Sequence, residues 1–164
     1  MAALLEPNEL MYTQFEPKTI NRFIMYIDGI PAFILKKCDR PKPTAPQQAI
    51  DHINVQSYYR GKMIWQPIAC QLYDPIVPSG AQIVMNWVRL HHESATGRDG
   101  YQTEYQKNIV INMLDPNGAK VEQWSLYNSF LSGDINFGSP DWADDGKFIP
   151  IDINISYNYA VLEY

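Results

Sequence analysis

The chain has 164 residues, of which 46% are hydrophobic and 19% are charged. This composition is typical of a globular protein that buries a sizeable core, and it excludes a largely disordered chain. The net charge is −5. Tight binding to nucleic acid depends on a basic footprint that neutralises phosphates, and none is visible. We therefore predict a single domain over residues 1–164 that does not grip DNA.

Residues 1–19 are predicted to be a polar lead-in segment rather than a signal peptide, because they have no basic start and no long apolar run. No apolar run in the chain approaches the roughly 18 residues that span a bilayer, so we expect no membrane association. Cys38 and Cys70 are too few for a disulfide framework. We expect both to be plain buried thiols in a protein that is made in a cytoplasm.

Two apolar runs in RFIMYIDGIPAFILKKC (22–38) are separated by Asp28-Gly29, which predicts a β-hairpin. The next segment, DRPKPTAPQQ (39–48), has three prolines in ten residues. Proline cannot donate to a strand ladder and stiffens the backbone, so this segment is predicted to be an extended, functional arm. The residues of this proline-rich arm that we expect to contact another subunit or ring are Arg40, Pro41, Lys42, Pro43, Thr44 and Pro46.

Residues 49–74 are predicted to form two strands that bend around Arg60-Gly61. In the first strand, a polar face without positive charge would consist of His52, Asn54, Gln56 and Tyr58. Residues 79–94 are predicted to form the main helix, with Ser79 as its N-cap and an apolar face that includes Trp87. Residues 107–126 are predicted to form a second hairpin with its turn at 115–118.

The closing segment FIPIDINISYNYAV (148–161) alternates apolar and polar residues, which predicts one long strand with a buried face and a wet face. The wet face contains Asp152, Asn154 and Ser156 and no Lys or Arg. Solvent-facing strands usually carry charges that discourage edge pairing, so this composition is unusual. In total, the sequence predicts a mainly β fold, a sandwich or barrel of six or seven antiparallel strands with one flanking helix.

No pattern in the sequence indicates catalysis, a cofactor or a metal, and we predict that the chain is not an enzyme. The neighbouring residues His91-His92-Glu93 lack the three- or four-residue spacing of helical zinc ligands, and a basic last turn that complements the helix dipole explains them better. The acidic group Asp141, Asp144 and Asp145 lacks the alternating pattern of a calcium loop, so acidic turn residues are the simpler interpretation.

Several stretches together resemble tail tube proteins of contractile-tailed, T4-like bacteriophages. They follow the same order from about residue 20 to residue 161. These stretches are the DGIP turn, YRGKMIWQPIACQLYDP, WVRLHHESATGRDGYQTEYQKNIVINMLDPNG, VEQWSLYNSFLSGDINFG and IDINISYNYAVL. The resemblance implies hexameric rings that stack into a hollow tube inside a contractile sheath, through which DNA passes into the host. Related tubes occur in contractile injection systems and in type VI secretion.

The resemblance also implies partners and a location for the protein. The expected partners are further copies of the chain, the sheath protein, the baseplate or tube initiator and the tail terminator, in a virion tail that is assembled in the bacterial cytoplasm. DNA would cross the channel without specific binding, along a lining that we predict to include Asp152, Asn154, Ser156, His52, Asn54 and Gln56. A face without Lys or Arg would avoid phosphate contacts that multiply along a stacked tube.

Two alternatives stay open at this point. A monomeric β-barrel could carry a small ligand in its aromatic-rich interior. A tube initiator or tip protein could form rings that do not elongate. Size in solution distinguishes the carrier, which stays an 18.9 kDa monomer at all concentrations, from a subunit of rings or tubes.

Overall fold

The computed structural model describes residues 16–163. It contains the strands β1 (Phe23–Ile27), β2 (Leu35–Cys38), β3 (Lys42–Thr44), β4 (Gln47–His52), β5 (Val55–Arg60), β6 (Ile64–Gln66), β7 (Ile68–Tyr73), β8 (His92–Glu93), β9 (Arg98–Asp99), β10 (Lys107–Leu114), β11 (Lys120–Leu131), β12 (Pro150–Ser156) and β13 (Tyr159–Leu162). The helices are α1 (Gly80–His91) and the single-turn α2 (Gln102–Tyr105), with a 3₁₀ turn at Ala32–Ile34.

Seven strands form one antiparallel sheet in the order β1-β10-β11-β12-β7-β2, with β13 also paired to β11. Strand β11 joins the two halves of this sheet, because it pairs with β10 and β13 along most of its length and with β12 only at Phe130 and Leu131. The inward side chains of both halves form one core, in which Ile68, Leu126 and Ile151 are completely buried. The predicted mainly β fold with one flanking helix is therefore confirmed.

Helix α1 begins where the sequence predicts. The Ser79 side chain accepts a hydrogen bond from the backbone N–H of Gln82, which satisfies one free donor of the first turn. Its apolar face is buried at Val84 and Trp87, and the Trp87 indole N–H donates to the Tyr105 carbonyl at 2.9 Å. Within residues 16–163 no helix is long and apolar enough to cross a bilayer.

The predicted turn at 115–118 is confirmed. The Asp115 carboxylate accepts hydrogen bonds from the backbone N–H groups of Asn117 (2.8 Å) and Ala119 (2.7 Å). Gly118 adopts φ +85°, a conformation that glycine reaches without steric cost. Strands β10 and β11 therefore pair directly across this turn.

The predicted hairpin at Asp28-Gly29 is wrong, although the turn itself is present. Ile27 and Ile30 form a single bridge, after which Pro31 and the 3₁₀ turn end the pairing. Proline has no N–H to donate to a strand ladder, so the residues from Pro31 onward do not continue the pairing with β1. Strand β1 pairs with β10 and strand β2 pairs with β7, so the two apolar runs lie at opposite ends of the sheet.

The closing segment is two strands rather than one. Strand β12 keeps the predicted alternation, with Ile151, Ile153 and Ile155 buried. After Tyr157 the chain turns toward β11, where Asn158 N–H donates to the Tyr127 carbonyl. The alternation of buried and exposed positions is then reversed in β13. Ala160 is buried, whereas Tyr159 and Val161, which the alternation predicts to be buried, are exposed.

Residues 35–73 form one long hairpin, which corrects the prediction of two strands around Arg60-Gly61. The pairing of Cys38 with Cys70 continues in the same register as that of Lys42 with Gln66, across interruptions at Pro41 and Pro67. Strands β4 and β5 then pair up to a tip at residues 53–54. The tip is a two-residue loop, Ile-Asn, without the glycine that usually marks such turns, and the sequence pattern therefore missed it.

Candidate functional site

The outer face of strand β12 has a row of polar side chains, and Gln71 of β7 lies beside this row. Asp152 lies opposite Gln71, and the Gln71 amide donates a hydrogen bond to its carboxylate at 2.7 Å. The Asn154 amide donates to the carbonyl of Asp134 at 3.2 Å, and the Ser156 and Ser132 hydroxyls are 2.6 Å apart. These half-exposed residues, together with Gln71, form a surface that we call the polar face.

Strand β2 extends the polar face with a positive charge that the closing segment alone does not reveal. Lys37 lies opposite Gln71, on the same side of the sheet as Asp152. The Lys36 ammonium lies 4.6 Å from the centre of the Phe148 ring, at the edge of this surface. The polar face is therefore rich in neutral groups along β12, and its cations are confined to β2.

Residues 42–66 form the second surface, which we call the projecting hairpin. All residues of β3, β4 and β5 are exposed on both faces, so this part of the chain stands away from the described body. Strands β4 and β5 form extended contacts only with each other among the described elements. Ten residues separate Lys42 from His52, which corresponds to a reach of roughly 33 Å.

The two faces of the projecting hairpin differ in chemistry. The register places Ile50, Val55 and Tyr59 on one face, where each is at least 47% exposed. On the opposite face, Gln56 donates to Asp51 at 2.7 Å. Exposed apolar side chains in a row on a two-stranded element mark an interaction surface rather than a self-sufficient fold.

The structure divides the six predicted channel residues into two groups. Asp152, Asn154 and Ser156 share the polar face, whereas the other three lie near the tip of the projecting hairpin. The turn at 53–54 places His52 and Gln56 on opposite faces, so the prediction that they share one strand face is wrong. Their role in lining a channel stays a prediction.

The predicted contact residues of the proline-rich arm lie at the root of the projecting hairpin. The root is anchored to the body by Trp65, whose ring centre is 5.9 Å from that of Tyr157. Pro46 accepts a hydrogen bond from Gly61 N–H across the hairpin. Arg40 lies beside Glu122, and Pro41 is buried just before β3. Lys42, Pro43 and Thr44 form β3, and Pro46 lies between β3 and β4.

Glu122 of β11 links three segments of the chain, and no local pattern in the sequence indicates this role. Its carboxylate forms an ion pair with Lys18 of the lead-in, lies 3.7 Å from the Arg40 guanidinium and accepts from the Trp124 indole at 2.6 Å. Burial alone would raise the pKa of Glu122, but these hydrogen bonds and charges hold its pKa below the usual value.

We expect Glu122→Gln to lower the free energy of unfolding by about 1.5–3 kcal/mol at pH 7, because it removes the charge of buried, charge-assisted hydrogen bonds. A depressed carboxyl pKa contributes stability above the unfolded-state pKa of about 4.3, and this contribution is lost as the pH falls through the lower folded-state value. Melting temperatures of both proteins between pH 7 and pH 3 should therefore converge at acid pH. An equal difference throughout would exclude the charge as the cause.

A groove of about 740 Å³ separates the outer edges of β1 and β2. Its apolar wall includes Phe23, Ile111 and Met113, and Lys37 and Arg40 lie at its rim. Within the described residues neither β1 nor β2 has a second strand partner. Free strand edges beside an apolar groove can accept a strand from another chain.

Trp142, which is not among the predicted site residues, is fully exposed in the acidic connection before β12. The sequence does indicate that Trp142 is exposed, because an aromatic residue between acidic turn residues contributes nothing to a core. The Asp141 carboxylate accepts from Ala143 N–H, and Asp144 pairs with Lys147 at 3.1 Å. Exposed tryptophans are frequent anchors of protein interfaces.

The histidine pair at the end of α1 is separated by local structure. The His91 ring stacks on Tyr105 at 4.3 Å, and burial lowers the pKa of His91. His92 instead lies 2.7 Å from the Asp99 carboxylate in the β8–β9 ribbon. Over residues 16–163, no group of three or more His, Cys, Asp or Glu side chains is arranged to hold a metal ion.

Comparisons with solved structures find chains of similar fold in a contractile injection system, in a prophage tube cap and in an Hcp protein. A chain in the PVC sheath/tube terminator of an extracellular contractile injection system has a TM-score of 0.73 at 12% identity, over 93% of this chain and 100% of the other. The anti-feeding prophage cap gives 0.72 at 13% identity, over 93% and 94%. Hcp1 from Flavobacterium johnsoniae gives 0.50 at 11% identity, over 87% and 94%.

No protein-family model matches the chain, and no curated protein matches it by sequence. At identities of 11–13%, the structural matches establish the fold alone. Both comparisons with TM-scores above 0.7 cover nearly the whole of each chain, so the similarity extends through the sheet, the helix and the connections. The chain therefore shares its fold with these tube-terminator and cap chains.

Proposed function

We propose that this chain is a structural subunit of the inner tube of a contractile machine, in which hexameric rings stack into a hollow tube. The observation that carries the proposal is the projecting hairpin (residues 42–66). Its strands β3, β4 and β5 are exposed on both faces and present apolar side chains that the described body does not cover. An isolated two-stranded hairpin is only marginally stable in water, whereas an adjacent subunit would bury its apolar side chains.

The free edges of β1 and β2 support the same proposal. Strand addition from a neighbouring subunit would satisfy their backbone groups and would continue the sheet from one subunit to the next. A contact between two different surfaces closes into a ring when its rotation is a simple fraction of a full turn. The projecting hairpin, with a reach of roughly 33 Å, would then contact a neighbour in the same ring or in the next one.

In this proposal the polar face lines the channel. The neutral groups along β12 offer few attachment points for a polyanion, and each added cation would contribute salt-dependent affinity for phosphate. The cargo is DNA in the tail of a T4-like phage, or a protein effector in an injection system. The sheath protein, the baseplate or tube initiator and the terminator are the proposed partners, with assembly in a bacterial cytoplasm.

We expect Asn154→Lys with Ser156→Lys to leave folding and assembly largely intact, because both positions are half-exposed. Tubes of this variant should retain short double-stranded DNA in a sedimentation assay at low salt and release it at high salt. The matched control is Gln82→Lys with Asn86→Lys on the exposed face of α1. Equal DNA retention by the two variants would place the polar face outside the channel.

The monomeric carrier remains the second hypothesis, and the core argues against it. A carrier requires an interior pocket, whereas the inward positions of the sheet are filled by buried aliphatic side chains such as Ile68, Leu72 and Ile109. Sedimentation velocity over a range of concentrations distinguishes the two. The tube proposal expects species of six times 18.9 kDa and larger, whereas a persistent monomer would favour the carrier.

A further inference from the structure

The two cysteines face each other across the root of the long hairpin. Cys38 of β2 is the direct partner of Cys70 of β7. The next pair along the ladder is hydrogen-bonded, since Asp39 N–H donates to the Ala69 carbonyl at 3.0 Å. Hydrogen-bonded and non-hydrogen-bonded pairs alternate in an antiparallel ladder, so Cys38 and Cys70 form a non-hydrogen-bonded pair.

This position brings the two thiols within bonding reach. In a non-hydrogen-bonded pair the Cα atoms are about 4.5 Å apart and the side chains lie closer than at other positions. A disulfide requires a Cα separation of roughly 4.4–6.8 Å, with side chains directed toward each other. Both side chains lie on the inner side of the sheet, and both thiols are free in the structure.

We propose that Cys38 and Cys70 are a disulfide site, which closes when the protein meets a low-molecular-weight disulfide such as oxidised glutathione. The bond joins β2 to β7 three residues away from the interruptions at Pro41 and Pro67, and it fixes the root of the projecting hairpin. The inference rests on the strand register and does not depend on the proposed function.

The two thiols have different parts in the exchange. Cys38 is partly exposed, and burial raises its pKa to about 11, whereas Cys70 is almost completely buried and its pKa is raised further. The Cys38 thiolate therefore attacks glutathione disulfide first, and one glutathione thiolate leaves. The Cys70 thiolate then attacks the Cys38 sulfur, and the second glutathione leaves. One small disulfide is reduced to two thiols as the protein bridge forms.

Both raised pKa values make the reaction slow, because only the thiolate is a nucleophile. A closed bridge removes conformations from the unfolded chain, including those of the 33 residues from 38 to 70. It should therefore stabilise the subunit once it forms. Slow closure is compatible with a protein that is assembled in a reducing compartment and later meets an oxidising one.

The test incubates the purified chain with oxidised glutathione at mildly alkaline pH and follows its intact mass. We expect loss of two hydrogen atoms without a glutathione adduct, a proteolytic peptide pair that joins residues 38 and 70, and a rise of about 5 °C in melting temperature. In the control Cys70→Ala, Cys38 has no resolving thiol, so a stable adduct with one glutathione should accumulate.

Three results would overturn the site. They are a persistent glutathione adduct on the native chain, a disulfide-linked dimer, or two free thiols after prolonged exposure. The Cys38→Ala variant checks the order of attack, because its buried Cys70 should react more slowly than Cys38 does in Cys70→Ala. Melting curves in reductant confirm that each variant is folded before oxidation.

Discussion

Ile153→Asp is expected to prevent folding of the subunit. Ile153 is 1% exposed in the middle of β12, opposite Cys70, with Ile151 and Ile155 completely buried beside it. A carboxylate there has no partner, and burying it costs several kcal/mol, which is comparable to the total stability of about 5–15 kcal/mol for a domain. Circular dichroism of the purified variant should show no cooperative thermal transition.

The neighbouring residue supplies the matched control. Asp152 lies on the polar face and accepts a hydrogen bond from Gln71, and the amide oxygen of Asn can accept the same bond. Asp152→Asn should therefore change the free energy of unfolding by only about 0.5 kcal/mol. Equal losses at the two positions would mean that β12 is buried on both sides, and the polar face would then have no channel to line.

Shortening the projecting hairpin is expected to abolish assembly while the subunit stays folded. Replacing residues 45–63 by Asn-Gly would close the hairpin directly after the pair formed by Thr44 and Ile64. Nearly all of the removed residues are exposed, and their strands contact mainly each other, so the melting temperature should change little. Light scattering coupled to size exclusion should show a monomer at concentrations where the intact chain forms rings.

The two faces of the projecting hairpin allow a finer control. Ile50→Ser with Tyr59→Ser removes apolar area from one face, and Ala49→Ser with Gln56→Ser alters the opposite face at neighbouring positions. We expect the first pair to weaken assembly at least tenfold and the second to leave it nearly unchanged, because buried apolar anchors dominate interface energetics. Assembly that survives the truncation would show that the hairpin has another role.

The sequence predicts those elements whose determinants are local. Alternation identifies the buried face of β12, a serine cap and an apolar stripe identify α1, and an Asp-Pro-Asn-Gly turn identifies the hairpin of β10 and β11. For α1 and for the hairpin of β10 and β11, the residues that form the element also cap the helix or make the turn. The part of the polar face that lies on β12 is predictable for the same reason, since Asp152, Asn154 and Ser156 follow one another at every second position.

Features that depend on pairing between distant segments could not be predicted in this way. The residues after Asp28-Gly29 have strand propensity, but Pro31 directs β2 to β7 instead of β1. The ion pairs of Glu122 and the position of Lys37 beside Gln71 arise only when separate strands meet. The tip at residues 53–54 was missed because the alternation of polar residues continues through the turn in the sequence.

The most direct test of the account is electron microscopy of the purified full-length chain, in negative stain and at a range of concentrations. The tube proposal predicts closed six-membered rings with a central hole and, at high concentration, stacks of these rings. The polar face of β12 should line the hole in an averaged reconstruction. A field of uniform 18.9 kDa particles at every concentration, without rings, would contradict the proposal.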